Sequence, residues 1–244
     1  MAAIVIIPAR YGSTRFPAKI LAAATGRPLV QHVVDRAKRC KRVRDVLVAT
    51  DDARIADALR PFGTACVMTS AAHPSGTDRI AEVAAGLADD IVVNVQGDEP
   101  EIEAETIDAL VERLEGSTEH MATAATPFRD GADVNDPNLV KVVMGPGGRA
   151  IYFSRSPIPY RREATFSGNA AYYLHLGIYA YRRDFLLEYA AWPPTPLEQT
   201  EKLEQLRALE HGCSMYVHVV TRATHGVDTK EQYDAFVKRF KESH

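Results

Sequence analysis

Four short apolar runs set between helical stretches constrain this chain more than any other feature. Residues 4–7, 46–49, 64–68 and 91–95 are too short for buried helices and rich in valine and isoleucine. Residues 28–40, 52–59 and 76–87 separate them at helical spacing, with Leu29, Val33, Val34 and Ala37 as one apolar stripe. Pro28 suits a first helical turn, and Asp51 or Asp52 suits the cap of the second helix. A further helix is expected over 104–114. Strands and helices alternating at these lengths form βαβ units, hence a largely parallel sheet with helices on both faces.

Ligands of open α/β sheets bind where the strands end. The first strand runs into Pro8-Ala9-Arg10-Tyr11-Gly12-Ser13-Thr14-Arg15-Phe16-Pro17-Ala18-Lys19. This loop gathers the cations Arg10, Arg15 and Lys19 with the hydroxyls of Ser13 and Thr14, a set that suits phosphate oxygens. Neither G-x-x-x-x-G-K-[ST] nor G-x-G-x-x-G occurs in it, which argues against a P-loop or a dinucleotide fingerprint. The fourth strand ends on Gln96-Gly97-Asp98-Glu99-Pro100. Acids beside a phosphate loop fit Mg²⁺, which takes one or two carboxylates plus substrate phosphates. A polar turn before a helix fits the same residues.

Beyond Met121 the pattern changes. Residues 121–126, 140–144, 149–153 and 174–181 read as strands, with Asn135-Asp136-Pro137-Asn138 and Gly145-Pro146-Gly147-Gly148 at turns. In the last run Leu176, Ile178 and Ala180 alternate toward the core. His175, Gly177, Tyr179 and Tyr181 take the other face, either a half-exposed surface or the wall of a pocket for a hydroxyl-rich ligand. Residues 154–173 form a long connection containing Arg155, Arg161, Arg162 and Phe166, of the kind that is functional or mobile. Helices are expected over 185–190 and 197–209, the second burying Leu203, Leu206 and Leu209, then a strand over 215–220. Asp228 with Glu231 reads as the capping box of the last helix. Nothing divides the chain, so a single domain over 1–244 is expected, with 140–181 a hairpin-rich excursion.

The 29 lysines and arginines against 32 acids leave a net charge of −3, so nothing draws nucleic acid globally and an anionic ligand must be held by local cations. Cys40, Cys66 and Cys213 are odd in number and scattered, which points to a reducing cytosol, not to a disulfide framework or a zinc site. No run of about 20 apolar residues predicts membrane insertion. The first residues lack the basic and long apolar regions of a signal peptide.

In order and spacing, these segments resemble the 3-deoxy-D-manno-octulosonate (Kdo) cytidylyltransferases, also called CMP-Kdo synthetases. The matching segments include Ile6-Ile7-Pro8-Ala9-Arg10-Tyr11, Ser13-Thr14-Arg15 with Pro17 and Lys19, and Val48-Ala49-Thr50-Asp51. They continue with Ser75-Gly76-Thr77-Asp78-Arg79, Val93-Asn94-Val95-Gln96-Gly97-Asp98-Glu99-Pro100 and Tyr152-Phe153-Ser154-Arg155. The last are His175-Leu176-Gly177-Ile178-Tyr179, Leu203-Glu204-Gln205-Leu206-Arg207 and Gly226-Val227-Asp228-Thr229. CMP-sialic acid synthetases are similar at the first loop but typically follow the lysine with asparagine. Here Pro17 precedes Lys19 and Ile20 follows it, where the Kdo enzymes commonly carry proline.

The resemblance implies a Rossmann-like nucleotide-diphospho-sugar transferase fold and a reaction of CTP with Kdo that gives CMP-Kdo and pyrophosphate for lipopolysaccharide biosynthesis. It implies a nucleotide site of Arg10, Ser13, Thr14, Arg15, Lys19, Ser75, Gly76 and Arg79, with Lys19, Arg10, Asp98 and Asp228 at the chemistry. Asp98 and Asp228 would ligate Mg²⁺. Gln96, Arg155, His175, Tyr179, Glu204 and Gln205 would form the sugar pocket, Arg155 pairing with the sugar carboxylate. Asp51 and Asp52 stay structural. A cytoplasmic homodimer is implied, with 140–181 as the contact and sugar-binding region. The alternatives are another acidic sugar, such as amino-Kdo or a sialic acid, and a non-catalytic nucleotide-binding module.

Overall fold

The structure, a computed structural model, describes residues 1–129, 131–162, 172–221, 224 and 226–243. Residues 163–171, and with them Phe166, lie outside that set.

The expected alternation is present. It runs β1 (Ala3–Ala9), α1 (Leu29–Ala37), β2 (Asp45–Thr50), α2 (Ala53–Leu59), β3 (Ala65–Met68), α3 (Gly76–Ala85), β4 (Ile91–Asn94) and α4 (Ala104–Glu115). The chain continues through β5 (Met121–Pro127), β6 (Lys141–Met144), β7 (Ala150–Ser154), β8 (Tyr173–Arg182), α5 (Arg183–Ala191), α6 (Pro196–Glu201), α7 (Leu206–Glu210), β9 (Met215–Val219) and α8 (Lys230–Glu242). The strand order is β3-β2-β1-β4-β8-β5-β9. The β1, β2, β3 and β4 strands are mutually parallel, β8 lies antiparallel between β4 and β5, and β9 runs parallel to β5. β6 pairs with β7 and with the start of β8, so the hairpin region extends the same sheet.

β1 lies between β2 and β4 in the parallel half of the sheet and is buried on both sides, as a strand of a covered parallel sheet must be. Val5 and Ile7 face α1 and α4, packing with Val33, Val34, Leu110 and Val111. Ile4 and Ile6 face α3 and α5, packing with Ile80, Val83, Phe185 and Leu186. A smaller cluster of Leu29, Val227, Tyr233 and Phe236 docks α8. This last contact brings the segment before α8 across the sheet to the loop after β1. Among the described residues no helix is long and apolar enough to cross a membrane.

Two expectations are corrected. The helix over 197–209 is broken in two, with Lys202 in the left-handed region at φ 54°. The cause is an ion pair. Arg207 donates to both carboxylate oxygens of Glu198, at 2.8 and 2.6 Å, across nine residues of sequence. Nine residues of continuous α-helix are two and a half turns, which would put the partners on opposite faces. Folding α7 back against α6 lets them meet and turns Glu204 and Gln205 inward. The second correction is the start of the last helix. Thr229 is its cap and forms the capping box with Gln232, so the Asp228 carboxylate takes no part in capping.

Asp52 caps α2 as expected, accepting from the Arg54 N–H at 3.0 Å. The two faces of β8 also follow expectation. Ile178 and Ala180 join the α1–α4 side of the core, while Tyr179 and Tyr181 pack on the other. On that second face Tyr181 is buried, His175 and Tyr179 are half-buried and Gly177 is exposed.

Candidate active site

All eight residues expected to hold the nucleotide line one cavity of about 370 Å³ at the ends of β1 and β4, together with Gln96, Asp98 and Asp228. Local backbone explains how they meet. Gly97 lies where a Cβ would come within 3.2 Å of the Pro8 carbonyl oxygen, so glycine lets the loops after β1 and β4 press together. Ser75 caps α3, accepting from the Asp78 N–H at 3.1 Å, and opens that helix onto the cavity. The helix start adds partial positive charge to that of the arginines. Arg79 is held from behind by Asp51 at 3.3 Å and the Thr69 hydroxyl at 2.6 Å. The Arg54 guanidinium lies 3.4 Å over the Tyr11 ring and backs the first loop.

Lys19 is turned inward by Ala18, which adopts the left-handed conformation at φ 53°. For an L-residue that costs about 1 kcal/mol, a strain often stored at functional sites. The Lys19 ammonium donates to Asp98 Oδ2 at 2.6 Å, Asp228 Oδ1 at 2.9 Å and the Val227 carbonyl at 2.9 Å. Arg15 lies 3.0 Å from the other Asp228 oxygen. Burial works against the charge of Lys19, but Asp98 and Asp228 outweigh it and hold its pKa above the usual lysine value. The two acids thus converge on one point, held here by an ammonium. Two carboxylates facing one cation beside a phosphate cavity fit the donor set of Mg²⁺. Among the described residues no group of three or more His, Cys, Asp or Glu gathers as a metal cluster.

A second cavity of about 220 Å³ adjoins the first and shares Gly76 and Gln96 with it. Thr77, Asn94, Tyr179, Tyr181, Tyr189, Glu204 and Gln205 complete its lining. Gln205 lines this cavity and is 4% exposed, and its Nε2 is a buried donor with no partner among the described residues. Burial pushes the Glu204 carboxyl above the usual range. The tyrosine hydroxyls rise too, burial again leading, so they remain neutral donors.

Two residues expected in this pocket lie outside its lining. His175 sits behind Tyr179, with ring centroids 5.5 Å apart, and its Nε2 lies 3.0 Å from the Thr123 hydroxyl. That hydroxyl donates to the Ile178 carbonyl at 2.7 Å, which leaves its oxygen to accept from His175. Burial pulls the imidazole pKa down to about 3. Arg155 donates to the carbonyls of Glu201 at 2.7 Å, Pro137 at 2.7 Å and Lys202 at 3.2 Å. It fastens the turn that breaks α6 from α7.

Sequence reasoning missed Asn94, Thr77, Tyr189 and Glu99. Asn94 had a signal, being the one polar residue among Val92, Val93 and Val95. Glu99 had none beyond its neighbour Asp98. Burial and the adjacent Asp98 raise its pKa to about 7.

A mixed α/β sheet whose strand ends gather cations suited to phosphates and two converging acids, next to a second polar pocket, fits a nucleotidyltransferase. The family model described as Cytidylyltransferase matches residues 4–223. A 3-deoxy-manno-octulosonate cytidylyltransferase of Geobacter sulfurreducens is 49% identical over 245 residues, covering 97% of this chain and 98% of the relative. One from Nitratidesulfovibrio vulgaris is 48% identical, covering 98% of this chain and 96% of that protein. The solved structure of a CMP:2-keto-3-deoxy-manno-octonic acid synthetase complexed with CTP has a TM-score of 0.94 at 40% identity, covering 100% of both chains. The chain belongs to the cytidylyltransferase family and, within it, to the 3-deoxy-manno-octulosonate cytidylyltransferases.

Proposed function

We propose that this chain transfers the cytidylyl group of CTP to Kdo, releasing pyrophosphate and supplying CMP-Kdo for lipopolysaccharide biosynthesis. The observation that carries the reading is the shared wall. Gly76 and Gln96 line both the cationic cavity and the tyrosine-rich one, so a triphosphate and a sugar bound there would meet. The anomeric hydroxyl oxygen of the sugar forms the new bond to the α-phosphorus and gives up its proton to solvent, and the bond from that phosphorus to the bridging oxygen of pyrophosphate breaks.

The residues serve this by placement and charge. Arg10, Arg15 and the start of α3 offset the triphosphate, and Ser13 and Thr14 orient it. Lys19 bridges Asp98 and Asp228. Those two carboxylates would hold Mg²⁺, which supplies charge neutralisation at the phosphates and a lowered pKa for the attacking hydroxyl. Gln96, Tyr179, Glu204 and Gln205 offer the hydrogen bonds that a polyhydroxy acid needs. Arg155 and His175 act at one remove in this reading: Arg155 holds the Lys202 turn, and His175 supports Tyr179. The reaction is placed in the cytoplasm, in keeping with the scattered cysteines. A homodimer contact on 140–181 is supported by Ile151, 59% exposed on β7, and Tyr160, 87% exposed after it.

The test is a panel. Purified protein is given Mg²⁺, each nucleoside triphosphate in turn, and Kdo, amino-Kdo or a sialic acid, with pyrophosphate release as readout. Release with CTP and Kdo above every other pair is expected. A preference for another sugar would move the assignment, and no release with any pair would favour a binding module.

A further inference from the structure

The mechanism above leaves Glu99 unused. Glu99 follows Asp98 on the loop after β4, yet its side chain points away from the phosphate cavity, toward the segment that enters α8. Its Oε2 accepts from the Thr224 hydroxyl at 3.1 Å. Its Oε1 lies 2.8 Å from where a Cβ on residue 226 would stand, so Gly226 leaves the space that the carboxyl fills. One residue further, the Val227 N–H donates to the Asp98 carbonyl at 2.8 Å. The Val227 carbonyl in turn accepts from Lys19, whose ammonium also holds Asp228.

These contacts form one chain of attachment. Asp228 belongs to an element almost the whole length of the sequence away from Lys19, and it precedes its helix cap. The Val227 side chain is buried in the small cluster with Leu29 and Tyr233, which fixes the far side of this strap. On the near side the strap is tied by Glu99 to Thr224 and by Asp98 to Val227.

We propose that Glu99 is a positioning residue that clamps the strap carrying Thr224, Gly226 and Asp228 onto the Asp98 loop, thereby setting the separation of the two metal-binding carboxylates. The inference rests on the reading of Asp98 and Asp228 as the metal pair. It adds that their spacing is set by a hydrogen bond made on the other side of the loop, by a group that touches neither substrate. Any side chain with an acceptor oxygen at that reach can serve, so the requirement is for geometry and not for charge.

The test uses the full chain and two readouts. In metal-free protein, hydrogen exchange of the peptide covering 226–229 reports docking directly, through the Val227 N–H. Loss of a hydrogen bond of this kind predicts exchange about tenfold faster in Glu99→Ala. Thr224→Val, which keeps shape and removes the hydroxyl, should match it, and the double variant should go no further than either single one. Glu99→Gln, whose amide oxygen still accepts from Thr224, should stay within about twofold of the parent. In turnover, the Mg²⁺ concentration for half-maximal rate should rise about tenfold in Glu99→Ala and Thr224→Val, while the KM for CTP at saturating Mg²⁺ changes little. Unchanged exchange at 226–229 in Glu99→Ala would overturn the clamp, as would Glu99→Gln behaving like Glu99→Ala. Faster exchange with an unshifted Mg²⁺ midpoint would overturn its link to the metal pair. Failure of the parent protein to turn over CTP and Kdo would instead count against the proposed function, leaving the exchange result to stand alone.

Discussion

His175 offers a prediction whose size can be worked out. Its pKa is about 3 in the folded protein, against 6.5 for an unperturbed imidazole, because burial disfavours the charged form. Above pH 6.5 both folded and unfolded chains hold the residue neutral, and it has no effect on stability. Between pH 6.5 and 3 the unfolded chain binds a proton that the folded chain refuses, so stability falls as pH falls. The slope approaches about 1.4 kcal/mol per pH unit, which amounts to about 2 kcal/mol between pH 7 and pH 5. His175→Gln removes the titration but can still donate to Thr123. Urea unfolding of both proteins at pH 7 and pH 5 separates this group from every other that titrates in the window. The parent should lose about 2 kcal/mol more than the variant on going to pH 5. Parallel losses would show that His175 is charged or solvated in the fold, and the reasoning would fail. The same state has a functional corollary. An imidazole that stays neutral and donates to Thr123 does not serve as a base near neutrality, so the variant should keep the parent's pH–rate profile between pH 6 and 8.

Three further substitutions probe the two cavities. Lys19→Met leaves Asp98 and Asp228 facing each other with only Arg15 beside Asp228; in EDTA it should lower stability by about 1 kcal/mol, the carboxylates being partly solvated, and Mg²⁺ should raise its melting temperature more than it raises the parent's, while turnover falls severely. Gln205→Leu fills the second cavity with an apolar group and removes the unpartnered donor; the KM for Kdo should rise at least tenfold with the KM for CTP within about twofold, measured by pyrophosphate release. Gly97→Ala places a methyl group 3.2 Å from the Pro8 carbonyl oxygen, and should cost about 1–2 kcal/mol in denaturant unfolding.

The fold was legible where one physical rule decided it. Ile4 to Ile7 is short, apolar and bounded by proline, and it is an inner strand of the parallel half of the sheet. Asp52 had one helix to cap, and caps it. Legibility failed where two local solutions competed and a distant residue chose between them. Asp228 with Glu231 and Thr229 with Gln232 are overlapping capping signals. Lys19 and Arg15, more than two hundred residues earlier in the chain, draw off the Asp228 carboxylate, which leaves the cap to Thr229. Leu203, Leu206 and Leu209 keep a helical period just beyond the break at Lys202 and so do not reveal it; only the Glu198–Arg207 pair shows why the chain turns. The site followed the same division. The loop after β1 is contiguous, so Arg10, Ser13, Thr14, Arg15 and Lys19 were legible together, and all five line the first cavity. The second cavity draws on β4, α3, β8, α5 and the α6–α7 turn; of the six residues the resemblance assigned to a sugar pocket, Gln96, Tyr179, Glu204 and Gln205 line it, and Arg155 and His175 do not.

The central claim is that the two adjoining cavities unite their ligands. Its most direct test is the mass of the products formed from CTP and Kdo with Mg²⁺, followed alongside pyrophosphate. The account predicts one CMP–Kdo conjugate for each pyrophosphate released, and loss of both in Asp228→Asn while its unfolding transition stays close to the parent's. Free CMP with unchanged Kdo would show a hydrolase, and full activity in Asp228→Asn would show that the pair of acids does not serve the reaction.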